Sequence, residues 1–325
     1  MRYSSAILGD LTGGQAEAQS RIAAISAKQQ RAHGFETPRL LGAASSMRRF
    51  EEMAAEEFTE QVRAVLTGES PWLAKQRRAF RRIPSPPRCK LCAAPFAGLG
   101  GLVFRHAGFR RSSGNPALCT RCITDLRKRQ LTGVEIPITL LFSDIRGSTA
   151  MGERMRPTDF HAFLDRFYRM ASDSIVARDG IVDKVVGDEV IGLFFGGVTG
   201  PRHAAAAVAA AIDLTERARA SSTSRVAIPV GTAIHTGEAF VGATGLGTTV
   251  DDFTALGDAV NITARLASAA AAGEVIVSVV TAEAAGMTTD QLERRTVAIR
   301  GRIEPIEVVV LPRPDKNVLP DEHHA

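Results

Sequence analysis

Asp144 and Asp188 are the residues of this sequence with the clearest chemical potential, because each follows a β-rich run. Asp144 ends the apolar run that starts at Ile138, and residues 145–149 read Ile-Arg-Gly-Ser-Thr. Asp188 ends residues 182–188, which read Val-Asp-Lys-Val-Val-Gly-Asp. Two carboxylates from separate strands can bind two divalent ions, which stabilise the attacking and the leaving oxygen of an in-line phosphoryl displacement. A single aspartate after a strand is usually a turn former, so this prediction rests on the pair.

The four cysteines are a second candidate site, because all of them fall into two C-x-x-C pairs. Cys89 and Cys92 form the first pair, Cys119 and Cys122 the second, and 26 residues separate the pairs. The pattern is typical of a tetrahedral four-thiolate zinc site, although the connection is longer than usual. An iron–sulfur cluster is the main alternative, followed by redox or disulfide chemistry. One role for the metal would be to organise a segment that is too small to fold around a core of its own. The alternative is a sensory switch, in which the segment reports metal or oxidation state to the neighbouring domain.

Composition and charge describe a globular protein with a local basic patch. The chain has 325 residues, 45% of them hydrophobic, and a formal net charge of +5. This length predicts two or three domains. The basic excess is concentrated in residues 75–90, which we interpret as a solvated face, with nucleic-acid binding as the less favoured alternative. No apolar run reaches the ~18–20 residues of a membrane span, and the N-terminus lacks a signal-peptide pattern, so we expect a cytoplasmic protein without a membrane partner.

The patterns along the chain predict five segments. Residues 1–45 are expected to be disordered or loosely helical. Residues 46–83 are expected to be helical, because apolar residues recur there at helical spacing. Residues 84–133 would form the four-cysteine segment, residues 134–311 the large domain, and residues 312–325 a flexible tail.

Strands and helices alternate in the large domain and must position the two aspartates. Ile138–Ser143 is predicted as a buried strand, and Ile181–Val186 and Glu189–Phe195 as a hairpin with Gly187 and Asp188 at its tip. A second hairpin is predicted around residues 236–238. Three helices are predicted, over Thr158–Arg178, Arg202–Ala220 and Asp258–Ala272. This order predicts an α+β fold, with helices on one face of an antiparallel sheet.

Four blocks of the large domain follow one another in a specific order and spacing. They are Phe142–Thr149, Lys184–Asp188, His235–Gly237 and Phe253–Arg265. Together they resemble the catalytic domain of the class III nucleotidyl cyclases, a resemblance that extends over residues 134–311. The cysteine segment resembles, much more weakly, one that precedes some bacterial cyclase domains.

The resemblance implies a ferredoxin-like catalytic fold that works as a head-to-tail homodimer with two composite sites. One chain would bind two Mg²⁺ or Mn²⁺ ions through Asp144 and Asp188, with the backbone carbonyl of Ile145 completing one shell. Backbone N–H groups of Arg146, Gly147, Ser148 and Thr149 would hold the β- and γ-phosphates. A turn that leads into a helix suits an anion on physical grounds as well.

The resemblance assigns the nucleotide-reading residues to the second chain. Lys184 and Thr254 would contact the purine, Asn261 the ribose, and Arg265 the α-phosphate in the transition state. Arg302 would contribute to phosphate binding, whereas Glu238 stands where some members carry arginine. Asn261 and Arg265 are four residues apart, which places both on one face of a helix.

The lysine–threonine pair implies ATP as substrate, because guanylate cyclases of the family tend to carry an acidic residue at the lysine position. We therefore predict an adenylate cyclase, a phosphorus–oxygen lyase that makes 3′,5′-cyclic AMP and pyrophosphate. A guanylate cyclase is the alternative within the class. A catalytically idle cyclase-like module that binds a partner is the alternative from another class. His235 is interpreted as a packed strand residue rather than a catalytic base.

Overall fold

The computed structural model describes residues 56, 59–84, 86–112, 117–128, 133–220, 228–244, 252–299, 301–302 and 304–312. The predictions for residues 1–45 and 313–325 lie outside this set. Of the helix predicted up to Leu66, residues 59–67 are described and are helical. No helix among the described residues is long and apolar enough to span a lipid bilayer.

One eight-stranded sheet forms the centre of the large domain. Its strands are β1 (Gly133–Ile145), β2 (Ile181–Val186), β3 (Glu189–Phe195), β4 (Val230–Thr244), β5 (Asp252–Leu256), β6 (Val275–Ser278), β7 (Glu293–Val297) and β8 (Ile306–Leu311). The strand order is β2-β3-β1-β4-β6-β8-β7, and β5 pairs with β4 outside this path. Every pairing is antiparallel except that of β4 with β6, which is parallel. The fold is α+β, as predicted.

Nine helices accompany the sheet among the described elements that have defined ends. They are α1 (Pro71–Arg81), α2 (Gly98–His106), α3 (Thr120–Lys128), α4 (Ser148–Arg154), α5 (Pro157–Ala177), α6 (Gly196–Thr199), α7 (His203–Ala220), α8 (Asp258–Ala269) and α9 (Val279–Ala284). The hydroxyl of Ser70 caps α1 by accepting from the Leu73 N–H. Such a cap satisfies a backbone donor that the helix itself leaves open.

Helices cover both faces of the sheet, and each face has its own buried core. Leu140 of β1 shares one core with Leu266 of α8. Leu141 shares the other core with Phe167 of α5 and Leu214 of α7. The prediction of helices on one face is therefore wrong. Successive residues of a strand point to opposite faces, so the continuous apolar run of β1 belongs to a strand buried on both sides.

The predicted hairpin at residues 236–238 is also wrong, because β4 is one continuous strand of 15 residues. Residues 236–238 pair with residues 137–139 in the middle of β1. β4 pairs with β1 from Val230 to Gly242, which provides partners for most backbone groups of that stretch, so the chain continues as a strand through residues 236–238. Gly237 serves packing instead: a Cβ there would lie 3.1 Å from the Cβ of Ala259, so the glycine lets α8 approach β4 closely.

The cysteine segment packs on the sheet and shares one of its cores. Cys89, Leu91 and Leu118 are buried in the same core as Leu140 and Phe195 of the sheet. The segment therefore lies on the face of the sheet that α8 also covers, where it can influence the strands directly.

Candidate functional site

The two predicted acidic residues come together at one end of β1. Asp144 is the second-last residue of β1, and Asp188 occupies the turn between β2 and β3. The backbone N–H of Ile145 donates to the carbonyl of Asp188 at 3.2 Å, which joins the strand end to the hairpin tip. The hydroxyl of Ser148 donates to the Asp188 carboxylate, and the hydroxyl of Tyr168 donates to the carbonyl of Gly187. The tip is therefore held from three directions.

Charge crowding at this end of the sheet changes the acidity of the carboxyl groups. Burial, followed by the hydrogen bond with Asp188, raises the pKa of Asp144 to about 6. Burial opposes the shift at Asp188, but hydrogen bonds from Ser148 and Asp144 lower its pKa below the ordinary value. The two carboxyl groups interact, and Asp144 keeps its proton to a higher pH than Asp188 does.

Glu189 is a third carboxylate of this cluster, and the sequence analysis missed it. It lies opposite Asp144 in the pairing of β1 with β3. Burial, followed by the charges of Asp144 and Asp188, raises the pKa of Glu189 to about 7. Its position directly after Asp188 at the start of a largely apolar strand is the signal that could have identified it.

The carboxylate cluster suits a divalent cation, because one of its buried oxygens lacks a hydrogen-bond partner. Oδ2 of Asp144 forms an ion pair with Arg146 at 2.8 Å. Oδ1 of Asp144 is buried and has no hydrogen-bond partner. A buried carboxylate oxygen without a partner is costly, and a cation would supply the missing interaction. Carboxylate and carbonyl oxygens are also the ligands that Mg²⁺ and Mn²⁺ prefer.

In the loop after β1, not all of the backbone N–H groups predicted to bind phosphate are available. The backbone N–H of Arg146 already donates to the carbonyl of Pro229 at 2.7 Å. That N–H is engaged within the chain, so a phosphate contact by Arg146, which stays a prediction, would need this bond to open. Gly147 precedes α4 with φ of 73°, a left-handed conformation that favours glycine. Gly147, Ser148 and Thr149 remain as candidates.

The two predicted purine-reading residues lie close together, joined by a residue that the sequence analysis did not select. The hydroxyl of Thr254 donates to Oδ2 of Asp183 at 3.0 Å. The ammonium of Lys184 lies 3.8 Å from the same oxygen. Thr254 is 3% exposed, whereas the Lys184 side chain is 37% exposed. Asp183 directly precedes Lys184, and an acidic residue within a predicted strand is the signal that could have marked it.

Asn261 and Arg265 lie on the exposed face of α8, as the four-residue spacing predicted. The opposite face carries Ile262 and Leu266, which are buried against the sheet. Among the described residues, neither Asn261 nor Arg265 forms a hydrogen bond or ion pair with the acidic cluster. Each chain therefore presents these residues as a separate group.

Arg302 and His235 lie near the N-terminal end of α8. The guanidinium of Arg302 forms an ion pair with Asp258, the first residue of α8. A phosphate contact by Arg302 would need this pair to open. His235 is buried and hydrogen-bonds Ser278 at 2.9 Å, and burial lowers the pKa of His235 to about 4. The ring is thus neutral and packed, as the sequence indicated.

The four cysteine sulfurs converge on one point. All lie within 4.8 Å of one another, with 3.9 Å between Cys89 and Cys122 and 3.7 Å between Cys92 and Cys119. A tetrahedron with metal–sulfur bonds of about 2.3 Å has sulfur–sulfur edges of about 3.8 Å. The arrangement therefore suits one tetrahedral ion. A multi-iron cluster, whose thiolates bind different iron atoms, needs its sulfurs farther apart.

Backbone donors also point at the sulfurs. The N–H of Cys119 donates to the Cys89 sulfur at 3.3 Å, and the N–H of Cys122 donates to the Cys119 sulfur at 3.4 Å. Such donors stabilise thiolates, which are the form of cysteine that binds a metal.

Comparison with known proteins identifies the large domain. The family described as "Adenylate and Guanylate cyclase catalytic domain" matches residues 134–312. An adenylate cyclase of Anabaena cylindrica is 35% identical over 133 residues, which are 40% of this chain and 26% of that protein. A terminal-differentiation-specific adenylate cyclase of Dictyostelium discoideum is 32% identical over 193 residues, which are 56% of this chain and 9% of that protein. The chain thus spans only a minor part of either relative.

Two solved structures are similar to the same region. The guanylyl cyclase Cya2 is 28% identical, with a TM-score of 0.51, and the match covers 55% of this chain and 93% of that one. The adenylyl cyclase CyaB from P. aeruginosa is 27% identical, with a TM-score of 0.50, and the match covers 58% of this chain and 100% of that one. One of these two proteins is a guanylyl cyclase and the other an adenylyl cyclase, so the shared fold does not choose between guanine and adenine.

Proposed function

Because the chain belongs to the family of adenylate and guanylate cyclase catalytic domains, we propose that it is an adenylate cyclase. It would convert ATP to 3′,5′-cyclic AMP and pyrophosphate at two composite sites of a homodimer. The observation that carries this proposal is the meeting of Asp144 and Asp188 at one end of the sheet, with a buried Asp144 oxygen that lacks a hydrogen bond.

Asp144, Asp188 and the carbonyl of Ile145 would hold two Mg²⁺ or Mn²⁺ ions at each site. When bound, such ions would lower the pKa of the ribose 3′-hydroxyl and neutralise triphosphate charge. The raised pKa of Asp144 and Glu189, caused first by burial and then by the neighbouring carboxyl groups, supports this assignment, because a bound cation would stabilise their charged forms. Gly147, Ser148 and Thr149 would orient the terminal phosphates through their backbone N–H groups.

The residues of α8 would act from the second chain on the reacting part of the nucleotide. Asn261 would orient the ribose so that its 3′-hydroxyl faces the α-phosphorus in line with the leaving pyrophosphate. Arg265 would donate to the α-phosphate oxygens as their charge increases. Both side chains are exposed and point away from their own sheet, which supports a role toward a partner subunit. Arg302 would join them after release from Asp258.

Lys184 and Thr254 would select adenine. Both contacts of the Thr254 hydroxyl, to Asp183 at 3.0 Å and to the Ala255 carbonyl at 3.5 Å, use its proton. The oxygen therefore keeps its lone pairs for the 6-amino group of adenine, whereas the 6-oxo group of guanine offers no proton. Because Thr254 is nearly buried, its strand must shift slightly for this contact to form. The adenylate cyclase names of the sequence relatives support the same choice.

The four cysteines would bind one structural zinc ion. The sulfur spacing of 3.7 and 3.9 Å supports a single tetrahedral ion over the iron–sulfur cluster that the sequence left open. Tetrahedral sulfur sites also accept a single iron ion, so metal analysis of the purified protein decides the identity of the metal. Zinc at one equivalent per chain is the expected result.

The test of the proposed activity is cyclic nucleotide formation by the purified full-length chain. ATP and GTP are assayed side by side with Mg²⁺ and with Mn²⁺, and products are separated by chromatography. Cyclic AMP formation that disappears in Asp144→Asn supports the proposal. Preference for GTP would make the protein a guanylate cyclase. Absence of product from either nucleotide, in a dimeric and metal-loaded preparation, would favour the idle module.

A further inference from the structure

The cysteine segment contacts the catalytic sheet through a lysine inside its metal-binding turn. Lys90 lies between the two cysteines of the first pair. Its ammonium forms an ion pair with Asp179 at 2.5 Å and donates to the carbonyl of Val176 at 3.0 Å. Its backbone N–H donates to the Ala117 carbonyl at 2.9 Å, which ties the first cysteine turn to the second. Lys90 therefore connects the thiolate site to the end of α5.

Asp179 lies just before the strand pair, β2 and β3, that carries the candidate site. It lies in the turn between α5 and β2, with φ of 59°, a conformation unusual for residues other than glycine. β2 begins two residues later and carries Lys184, and Asp188 follows at the tip. A displaced Asp179 would change where this hairpin begins.

The residues that follow β3, at the end of the hairpin, are contacted from the same part of the molecule. Arg77 of α1 donates to the carbonyl of Gly197 at 2.8 Å, directly after β3. It also donates to the carbonyl of Lys90 at 3.5 Å. The hydroxyl of Thr199 donates to the carbonyl of Asp179 at 2.9 Å, which joins the end of the hairpin to its beginning. We call these contacts of Lys90, Arg77 and Thr199 the base clamp.

Tight packing behind the end of the hairpin leaves the base clamp little freedom. A Cβ on Gly196 would lie 2.0 Å from the Thr67 carbonyl oxygen, and one on Gly197 would lie 2.4 Å from that of Val65. The backbone after β3 thus rests directly on the helical residues 59–67. Close-packed contacts of this kind transmit a displacement instead of absorbing it.

The base clamp and the acidic cluster lie at opposite ends of one rigid unit. β2 and β3 pair with each other, and β3 pairs with β1 from Ile138 to Asp144. A strand of this length spans about 20 Å. Tyr168 of α5 holds the tip, and Lys90 holds the end of the same helix. Helix α5 and the hairpin therefore share supports at both ends.

We propose that the metal ion at the four cysteines controls cyclase activity by keeping Lys90 in the base clamp, which makes Lys90 a positioning residue for the hairpin that bears Lys184 and Asp188. The inference rests on the proposed cyclase activity and on a metal at the cysteines. The four sulfurs lie within 4.8 Å of one another, so loss of the ion would remove the metal–sulfur bonds that join the first cysteine turn to the second cysteine pair. Loss of the ion would free the turn and withdraw Lys90 from Asp179.

The ion pair itself contributes little to folding stability. The side chain of Lys90 is 21% exposed and that of Asp179 is 62% exposed, so solvent screens the pair. Its removal should consequently change the placement of the hairpin more than the stability of the domain. This difference separates a positioning role from a general structural one.

The first test uses Lys90→Met in the full-length chain, with Lys75→Met, an exposed lysine of α1, as the matched control. We expect Lys90→Met to keep one metal ion per chain and a native melting temperature. We expect its kcat to fall about tenfold, a change typical of misplaced catalytic groups. Lys90→Arg should recover most of the loss, and the control should retain native activity. Native kcat in metal-loaded Lys90→Met would overturn the proposal.

The second test removes the cysteine-bound metal with an organomercurial reagent and a chelator, and then restores Mg²⁺ or Mn²⁺ without zinc. The native protein should lose the same factor in kcat as Lys90→Met, and the metal-free variant should lose nothing further, because both changes break one link. Additive losses would contradict the proposal.

A structural readout keeps this inference separate from the proposed function. Hydrogen exchange of residues 179–199 is measured in native protein, in metal-free protein and in Lys90→Met. Faster exchange at residues 179–186 and 196–199 in the latter two is the expected result, whether or not the protein makes cyclic AMP. Unchanged exchange there would refute the link even in an active cyclase. Absent cyclase activity with altered exchange would refute only the proposed function.

Discussion

Glu189 lies directly opposite Asp144 in the pairing of β1 with β3, beside the hairpin tip that holds Asp188. Three carboxylates therefore crowd one end of the sheet, and Arg146 neutralises only part of their charge. Burial and this crowding raise the pKa of Glu189 to about 7 and that of Asp144 to about 6. The carboxyl groups of this site therefore repel one another at neutral pH when no cation is bound, and a divalent cation would relieve this repulsion.

This repulsion predicts that Glu189→Gln changes the free energy of unfolding in a pH-dependent way when Mg²⁺ and Mn²⁺ are absent. The pKa of Glu189 is about 7 in the folded chain and has an ordinary value of 4.5. The stability that its protonated form contributes is complete below pH 4.5 and is lost as pH rises through 7. Urea unfolding should therefore show Glu189→Gln to be more stable than the native protein at pH 8 and equal to it near pH 4.5. Glu307→Gln, at an exposed strand position, should have little effect at either pH.

Metal binding should show the opposite pH dependence. Protons compete with the cation for Asp144, whose pKa is about 6, so Mn²⁺ affinity should fall as pH drops from 8 to 5.5. The rise in melting temperature with added Mn²⁺ measures this affinity, because a ligand of the folded state stabilises it. The effect should vanish in Asp144→Asn. A Mn²⁺-induced shift that is equal at both pH values would argue against carboxylate ligation.

Local patterns were sufficient to predict the hairpin that carries Asp188. The predicted strands Ile181–Val186 and Glu189–Phe195 agree with the structure at both ends. A two-residue connection flanked by β-branched residues leaves few alternatives in register. The glycine at 237 resembled a turn signal for the same local reason, although long-range pairing with β1 decides the structure there.

Contacts between distant segments could not be read from the sequence. Thr254 and Asp183 are 71 residues apart, and Lys90 and Asp179 are 89 residues apart. The hydrogen bond from the Arg146 N–H to the carbonyl of Pro229 also joins two segments that are far apart in the sequence. Sequence blocks identified the candidate residues, whereas their mutual support depends on how the sheet orders its strands.

Arg265→Ala should lower turnover without weakening ATP binding. Arg265 is exposed on α8 and would meet the α-phosphate mainly when charge develops there. We expect kcat to fall by about 10²–10³, the effect of losing one transition-state donor, with a small change in KM. Arg169→Ala, which removes an exposed arginine of α5 that pairs with Asp165, is the matched control. A large rise in KM at constant kcat would assign Arg265 to ground-state binding instead.

Lys184→Glu should reverse the order of preference between the purines. The lysine would donate to adenine, whereas a glutamate would accept from the N–H groups of guanine. Loss of a hydrogen bond from a charged donor should lower kcat/KM for ATP by about 10–100-fold. Steady-state assays with both nucleotides measure the ratio, and Lys75→Glu controls for the change in charge. An unchanged ratio would show that the purine is read elsewhere.

The central claim is that each active site combines Asp144 and Asp188 of one chain with Asn261 and Arg265 of another. Asp188→Ala and Arg265→Ala remove opposite halves of the same site, and each homodimer should be nearly inactive. The decisive measurement is the activity of the two variants after they are mixed in equal amounts and allowed to exchange subunits. Random exchange leaves about a quarter of all sites intact, so about a quarter of native activity should return. Exchange that is verified by mass spectrometry and restores no activity would contradict the shared site.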